Sequence, residues 1–179
     1  MKLLRTIRLD ASDTFIFEIA AEPGEWAVSG AFAFWDRDPA TLDGKARTAF
    51  RGGFLGLSSF GRSTLVQIVE ATAADRADVV DSLAQHLIGR YGAPDMAAAR
   101  AAAEDEVSFA ESLCGQPLDT LVAVHRSFDN GEVRETFRTL RPRAGQKPAR
   151  AFSFLEVEGE DEPPGETVDL VGLAAREPK

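Results

Sequence analysis

The chain has 179 residues, of which 44% are hydrophobic and 27% are charged, and its formal net charge is −9 at pH 7. A chain of this length and composition is expected to fold as one globular domain with a packed core, which excludes disorder over most of its length. The negative charge argues against broad binding to polyanions, so we expect neither nucleic acid nor a membrane as a partner.

The N-terminal part of the chain is predicted to form three short strands, over residues 2–9, 14–20 and 26–35. In the third strand the bulky Trp26 and Val28 point to one side and smaller residues point to the other. The opening residues lack the apolar core of a signal peptide, and no run approaches the roughly 20 apolar residues of a membrane span. We therefore expect a cytoplasmic protein.

Helices and a glycine-rich loop follow these strands. Asp38 and Pro39 are the residue types that begin a helix, which is predicted over about 39–50. A loop over 50–64 leads into a buried strand over 63–72. Apolar residues then recur at helical spacing in two further stretches, which predict helices over 74–91 and 94–114.

The clearest local signal is a hairpin within residues 121–140. The pair Asn130-Gly131 favours a type I′ turn, which fixes a two-residue hairpin and therefore its register. Arg126 then falls opposite Glu135 on neighbouring strands. The face of the hairpin opposite the predicted core carries His125, Arg134 and Arg138.

The order of these elements predicts an α+β fold with a mainly antiparallel sheet. The helices, over about 39–50, 74–91 and 94–114, are expected to pack on one face of the sheet. A last strand over 151–158 closes the sheet. We expect one domain over 1–157, followed by an acidic, proline-containing and partly flexible segment over 158–179.

The loop "FRGGFLGLSSFGRST", residues 50–64, has three competing interpretations. Its spacing Gly56-x4-Gly61-Arg62-Ser63 imitates a P-loop, but a P-loop follows a strand and opens a helix, whereas here a helix leads in and a strand leads out. A looser anion site would use Arg51, Arg62 and the glycine amides. In the favoured interpretation, apolar side chains bury themselves over the sheet edge or against a second copy in a homo-oligomer. The candidate interface residues are Phe54, Leu55, Leu57 and Phe60.

Only His86 and His125 could serve as a histidine base. His86 lies at the border of an amphipathic helix, where a structural role is favoured. His125 lies between two arginines that favour its neutral form, so it could act as a base on an anionic substrate held by Arg134 or Arg138. No serine or cysteine nucleophile can be paired with His125 from the sequence.

The remaining chemistry of the sequence is sparse. Cys114 is the single cysteine, which excludes an internal disulfide and a multi-cysteine zinc site, and its position at a helix end indicates a core residue. Asp36, Asp38 and Asp43 resemble the start of a calcium loop, but the required glycine and glutamate are not at their offsets. We expect no metal site and no cofactor.

The sign of the charge changes abruptly towards the C-terminus. Seven basic residues fall within 25 positions: Arg126, Arg134, Arg138, Arg141, Arg143, Lys147 and Arg150. Six acidic residues then follow: Glu156, Glu158, Glu160, Asp161, Glu162 and Glu166. Because few aromatic residues interleave with the basic block, we expect it to face an acidic protein surface rather than nucleic acid. That surface is either the chain's own C-terminal segment or a partner.

The stretch "MKLLRTIRLDASDTFIFEIAAEPGEWAVSGAFAFWD", residues 1–36, and "STLVQIVEA", residues 63–71, resemble a family of unknown function. Its members are small alphaproteobacterial proteins. The resemblance implies a bacterial, cytoplasmic setting and a single domain over the whole chain. It implies no activity, cofactor or catalytic residue.

Two functions follow from these observations. The first is a non-catalytic accessory, assembly or protein-interaction protein, homo-oligomeric through the loop 50–62, with the basic hairpin face for an acidic partner. The second is a small enzyme or binding protein for an anionic metabolite. There His125 is the base, and the anion is held by Arg51, Arg62, Arg134 or Arg138. The second requires distant residues to converge on one pocket, and the first is preferred.

Overall fold

One antiparallel sheet lies at the centre of the fold in the computed structural model, which describes residues 1–142 and 155–158. The described strands are β1 (Lys2–Ile7), β2 (Trp26–Val28), β3 (Phe54–Gly56), β4 (Arg62–Ser63), β5 (Leu65–Glu70), β6 (Leu121–Asp129), β7 (Glu132–Pro142) and β8 (Leu155–Glu158). Their spatial order is β4, β3, β2, β1, β5, β6, β7, β8. The sheet curls, so its inner face surrounds the core.

The helices cover the inner face of the sheet. Those described are α1 (Ser12–Ile16), α2 (Gly44–Gly52), α3 (Ala73–Tyr91) and α4 (Met96–Ser112), with 3₁₀ turns at Ala31–Phe34, Pro39–Thr41 and Leu113–Gly115. The helices α3 and α4 pack against each other, α4 packs on β1 and β2, and α2 packs on β6. The predicted α+β class, with a mainly antiparallel sheet and helices on one face, is confirmed.

Local sequence signals explain the two long helices. Thr72 Oγ1 accepts a bond from the amide of Asp75, and the Asp75 carboxylate accepts one from the amide of Thr72, which together form a capping box. Gly92, with φ of 66°, ends α3 in the left-handed conformation. The buried stripe of α4 consists of Ala99, Ala103, Val107 and Ala110, and its small side chains allow α3 to pack closely.

The predicted hairpin and its register are confirmed. Asn130 and Gly131 have positive φ values of 53° and 83°, as a type I′ turn requires. Arg126 pairs with Glu135 and His125 pairs with Thr136. Since facing residues share a side of the sheet, this register decides which hairpin residues lie on the inner face and which on the outer face.

One of the predicted N-terminal strands is wrong, and another is too long. Residues 14–20 do not form a strand, since residues 14–16 belong to the helical turn α1. The carboxylate of Asp10 accepts a bond from the amide of Ser12 at the start of this turn. The strand predicted over 26–35 ends at Val28. Gly30 adopts a left-handed conformation, with φ of 72°, and turns the chain into a 3₁₀ turn.

The first predicted helix, over about 39–50, is displaced. Asp38 does cap, since its carboxylate accepts a bond from the amide of Ala40 at 2.9 Å, but it caps only the short 3₁₀ turn that Pro39 begins. The helix α2 starts later, at Gly44. Its buried Phe50 packs with Phe34 and Leu42 in a small second core.

Part of the C-terminal prediction lies outside the described residues. The strand predicted over 151–158 is described over 155–158, where β8 pairs antiparallel with the end of β7. The acidic segment after Glu158 lies outside the described residues. The domain boundary at 157 stays a prediction.

Candidate functional site

The loop 50–64 binds a carboxylate of its own chain. Glu25 is buried, and its Oε2 accepts bonds from the amides of Ser58 and Ser59 at 2.9 and 2.8 Å. Its Oε1 accepts a bond from the amide of Glu22 at 2.6 Å. The loop amides that a phosphate would need are therefore already occupied by Glu25.

Close packing explains the two glycines that imitate a P-loop. A Cβ atom at Gly61 would lie 2.6 Å from the carbonyl carbon of Ala20, and one at Gly56 would lie 2.7 Å from Oε2 of Glu25. A side chain at either position would force the neighbouring atoms to shift, and at Gly61 these atoms belong to the backbone. The spacing of Gly56 and Gly61 reflects the approach of the segment 20–25 rather than a nucleotide site.

The apolar residues of this loop face the chain's own core. Phe54 and Leu55 are completely buried, and Leu57 is 2% exposed. Phe60 is half-buried and packs on His86, with ring centroids 4.5 Å apart. Phe54, Leu55 and Leu57 therefore fill the monomer's core and do not offer their surface to a second copy, which corrects the interface interpretation for these three residues. For the half-buried Phe60 it stays a prediction.

Beneath the hairpin lies a buried polar network around Arg126. All five N–H groups of its guanidinium have an acceptor. Nε donates to Glu135 Oε1 at 2.6 Å, and Nη1 donates to the carbonyls of Phe50 and Gly53 at 3.0 and 2.9 Å. Nη2 donates to the carbonyl and to Oγ of Ser29. Arg126 is fully buried and thus joins β6, β7, the end of α2 and the end of β2.

Arg62 and Glu106 extend this network. Nη1 of Arg62 donates to the carbonyls of Gly30 and Gly53 at 3.2 and 3.3 Å, and its guanidinium lies 4.8 Å from the ring centre of Phe34. Oε1 of Glu106 accepts a bond from the amide of Gly30 at 2.9 Å. The two arginines and the two glutamates, Glu106 and Glu135, balance in formal charge.

Burial dominates the electrostatics of the network. It lowers the pKa of Arg62 and of Arg126, although Glu135 acts in the opposite direction on Arg126. It raises the pKa of Glu106, which the bond from the Gly30 amide partly offsets. The hydrogen bonds of Arg62 and Arg126 join separate elements of the fold. For Arg126 this corrects the expectation that it belongs to an exposed basic block.

The outer face of the hairpin carries three exposed side chains with basic groups. His125, Arg134 and Arg138 are all exposed, and the register places Thr136 beside His125 and between the two arginines. Within the described residues neither Arg134 nor Arg138 forms an ion pair with a carboxylate. We call His125, Arg134, Thr136 and Arg138 the outer hairpin face.

The structure does not bring the four predicted anion-binding arginines together. Arg51 is exposed on the last turn of α2, and Arg62 joins the buried network on the inner side of the sheet. Arg134 and Arg138 lie on the opposite, outer side. His125 has an exposed sheet surface around it, and a small cavity of about 110 Å³ lies elsewhere, lined by Ile7, Leu9, Asp10, Ser12, Asp13, Thr64 and Leu65.

The other two reactive side chains of the sequence analysis have structural surroundings. Nε2 of His86 lies 2.8 Å from the carbonyl oxygen of Leu57, so this histidine ties α3 to the loop after β3. Cys114 is buried, and burial raises the pKa of its thiol to about 11. Within the described residues no group of three or more histidine, cysteine or acidic side chains could hold a metal ion.

An exposed apolar surface near the N-terminus was missed by the sequence analysis. Phe15 is 72% exposed and Ile19 is 55% exposed, and both lie in the segment that was predicted to be a strand. Leu9 and Ile16 in the same segment are exposed as well. The apolar content of "TFIFEIA" was the available signal, but only Phe17 of this stretch enters the core.

Residues 1–153 match the model of a family of unknown function, DUF6505. The chain belongs to this family. The match covers the strands β1 to β7 and all the described helices, so every residue of the outer hairpin face and of the buried network lies within it. Comparison with curated proteins and with solved structures gave no match. In the part of the chain that the structure describes, no helix is long and apolar enough to cross a membrane.

Proposed function

We propose that this member of the family is a non-catalytic accessory protein that binds an acidic protein segment on the outer hairpin face. The observation that carries the proposal is the pair Arg134 and Arg138, exposed on one side of β7 without an acidic partner among the described residues. The chain has a net charge of −9, which repels an acidic partner over most of its surface. An exposed basic face attracts such a partner locally.

The spacing of the two arginines indicates the form of the partner. Arg134 and Arg138 are four residues apart on one strand, which separates their Cα atoms by about 14 Å. An extended peptide with two carboxylates four residues apart repeats this distance. His125 and Thr136 between the arginines add hydrogen-bonding groups to the centre of the face.

The buried network supports this face from below. Arg126 and Glu135 lie on the inner side of the same two strands, and their bonds to Ser29 and Gly53 fix the hairpin to the rest of the fold. A surface that is ordered before binding loses less conformational entropy when a partner binds. The alternative of an anionic-metabolite enzyme lacks such support, because its arginines lie on different sides of the sheet.

The proposal includes association of the chain with itself through the apolar surface near α1. Phe15, Leu9 and Ile19 are the most exposed large apolar side chains of this segment. Phe15→Asp should lower the mass measured by native mass spectrometry to that of one chain. Val133→Asp, which changes another exposed apolar residue, is the matched control, and an equal mass for wild type and Phe15→Asp would contradict this part.

A peptide titration tests the acidic partner. A fluorescently labelled peptide of glutamates and glycines is titrated with the full chain at about 20 mM ionic strength, where charges are weakly screened. The double change Arg134→Glu and Arg138→Glu should reduce the affinity by about tenfold or more. Arg37→Glu with Arg51→Glu makes the same charge change at exposed sites off the face. Equal affinities of the two double variants would contradict the proposal.

A further inference from the structure

The strand β7 has an open edge beside the outer hairpin face. It pairs with β6 from Glu132 to Leu140, but on its other side β8 pairs only with residues 139–142. Among the described residues no other strand pairs with β7, so residues 132–138 have a neighbouring strand on one side only. We call these residues the open edge. An edge of this kind can accept a further strand.

The hairpin decides which backbone groups point to the open edge. The type I′ turn makes Asp129 and Glu132 a hydrogen-bonded pair, and hydrogen-bonded pairs recur at every second residue of an antiparallel ladder. The even-numbered residues of the open edge therefore direct their N–H and C=O groups to β6. The odd-numbered residues direct theirs away from β6: Val133, Glu135 and Phe137.

The side chains on the two sides of the open edge differ in chemistry. On the outer side lie the exposed Arg134 and Arg138. On the inner side Val133 is 44% exposed, and Phe137 is half-buried against Phe109 with ring centroids 5.7 Å apart. Successive side chains of a strand point to opposite sides. A strand in which acidic residues alternate with apolar or small ones would therefore match both sides.

We propose that the acidic partner binds as an added strand at the open edge, antiparallel to β7 as β8 is, with its carboxylates on the side of the arginines. This inference rests on the proposed function, since it states how the same partner is held. The backbone of the partner bonds to the odd-numbered residues of the edge. A carboxylate opposite Thr136 lies diagonally between Arg134 and Arg138, within reach of both long side chains, and a second one lies directly opposite Arg134.

The charges of the open edge favour an acidic strand over a second copy of this chain. In a two-fold pairing of two such edges, the registers that pair most of the edge place either the Glu135 side chains or the arginines of the two copies opposite each other. Like charges directly opposite on neighbouring strands are destabilising. An acidic strand places opposite charges beside Arg134 and Arg138 instead.

The test uses the full chain and a peptide of the sequence Gly-Glu-Val-Glu-Ser-Glu-Val-Gly, blocked at both ends and fluorescently labelled. Its paired part begins at the first valine, opposite Phe137, because β8 ends opposite Thr139. The two valines and the serine then direct their N–H groups to the open edge. The second and third glutamates lie opposite Thr136 and Arg134, and their N–H groups face away from β7.

Two matched forms of this peptide differ only in the position of two N-methyl groups. In the first form the methyl groups replace the N–H hydrogens of the serine and of the second valine. In the second form they replace those of the second and third glutamates. The first form should bind more weakly than the second by about tenfold or more, because it lacks two bonds to the open edge.

Hydrogen exchange of the backbone amides, followed by NMR, gives a readout on the chain itself. The unmethylated peptide, at about ten times its dissociation constant, should slow exchange at Val133, Glu135 and Phe137 by about tenfold. Exchange at Arg134 and Thr136 should stay unchanged, because their N–H groups already bond to β6. Slow exchange at the first three amides without peptide would show that the chain itself or a second copy occupies the edge, and it would overturn the inference.

The possible results separate this inference from the proposed function. If the two methylated forms bind equally and Arg134→Glu with Arg138→Glu weakens the binding of both, the added strand is wrong and the proposed function stands. If the unmethylated peptide does not bind, or binds equally to the chain with Arg134→Glu and Arg138→Glu, the proposed function is overturned, and the added strand with it.

Discussion

Replacement of Arg126 by methionine is the most informative test of the fold. Methionine fills a similar volume but donates none of the five hydrogen bonds of the guanidinium. The change leaves the Glu135 carboxylate without its cation and removes the Arg126 donors of the Phe50 and Ser29 carbonyls. The Gly53 carbonyl keeps its bond from Arg62, and Glu135 keeps its bond from the hydroxyl of Ser29. The buried groups that lose a bond to Arg126 stay desolvated with fewer hydrogen bonds, which costs free energy.

The expected loss follows from the burial of the pair. Removal of one partner of a buried ion pair destabilises a protein by about 3 to 5 kcal/mol. The side chain of Glu135 is 18% exposed, so water can partly solvate it, which places the loss near the lower end, about 3 kcal/mol. For a domain of this size such a loss lowers Tm by roughly 6 to 12 °C.

Urea unfolding followed by circular dichroism measures this loss. Arg134→Met is the matched control, because Arg134 is exposed on the outer side of β7 and should change the free energy of unfolding by no more than about 0.5 kcal/mol. Glu135→Gln added to Arg126→Met should cost much less than it does alone, since it removes a charge that has lost its partner. Equal free energies of unfolding for Arg126→Met and Arg134→Met would show that the buried network of Arg126 does not stabilise the fold.

Three further predictions concern other parts of the fold. Gly61→Ala should destabilise the protein by about 1 to 3 kcal/mol in urea unfolding, because the new Cβ would lie 2.6 Å from the backbone of Ala20. Gly89→Ala on α3 has open space around it and should stabilise the protein by about 0.5 to 1 kcal/mol. A similar effect of both changes on stability would contradict the close approach of Gly61 to Ala20. Burial raises the pKa of Glu106 in the folded state, so the folded state holds its proton to higher pH than the unfolded state does, and stability falls as pH rises from the unfolded pKa of about 4.3 through the folded value. The urea midpoint of the wild type should therefore fall over this pH range, and this fall should be absent from the Glu106→Gln variant. The same dependence of the midpoint on pH in both proteins would show that Glu106 is not desolvated. Burial raises the pKa of the Cys114 thiol to about 11, so at about pH 8 its reaction with a disulfide reagent should be slower than in urea by roughly two orders of magnitude, and equal rates would place the thiol at the surface.

Local signals in the sequence were sufficient for the hairpin and the long helices. Asn130-Gly131 determines its own turn, and the turn determines every pair of β6 and β7. The apolar spacing and the capping residues of α3 and α4 likewise act within a few positions of one another. Such signals are visible without knowledge of the rest of the fold.

The errors about Arg126 and about the loop 50–64 have a common cause in contacts between distant residues. The carbonyls of Ser29, Phe50 and Gly53 accept the bonds that allow Arg126 to be buried, and each lies more than 70 positions away from it. The sequence-based prediction therefore grouped Arg126 with the other basic residues. Glu25 fills the amides of the loop at Ser58 and Ser59, more than 30 positions away. The spacing of Gly56 and Gly61 could not reveal this occupant.

The proposed function depends on the binding of an acidic protein segment by Arg134 and Arg138. The most direct test is the dissociation constant of the glutamate-glycine peptide, measured for the full chain and again for the chain with Arg134→Glu and Arg138→Glu. We expect measurable binding to the first protein and an affinity lower by about tenfold or more for the second. An equal dissociation constant in both proteins would contradict it.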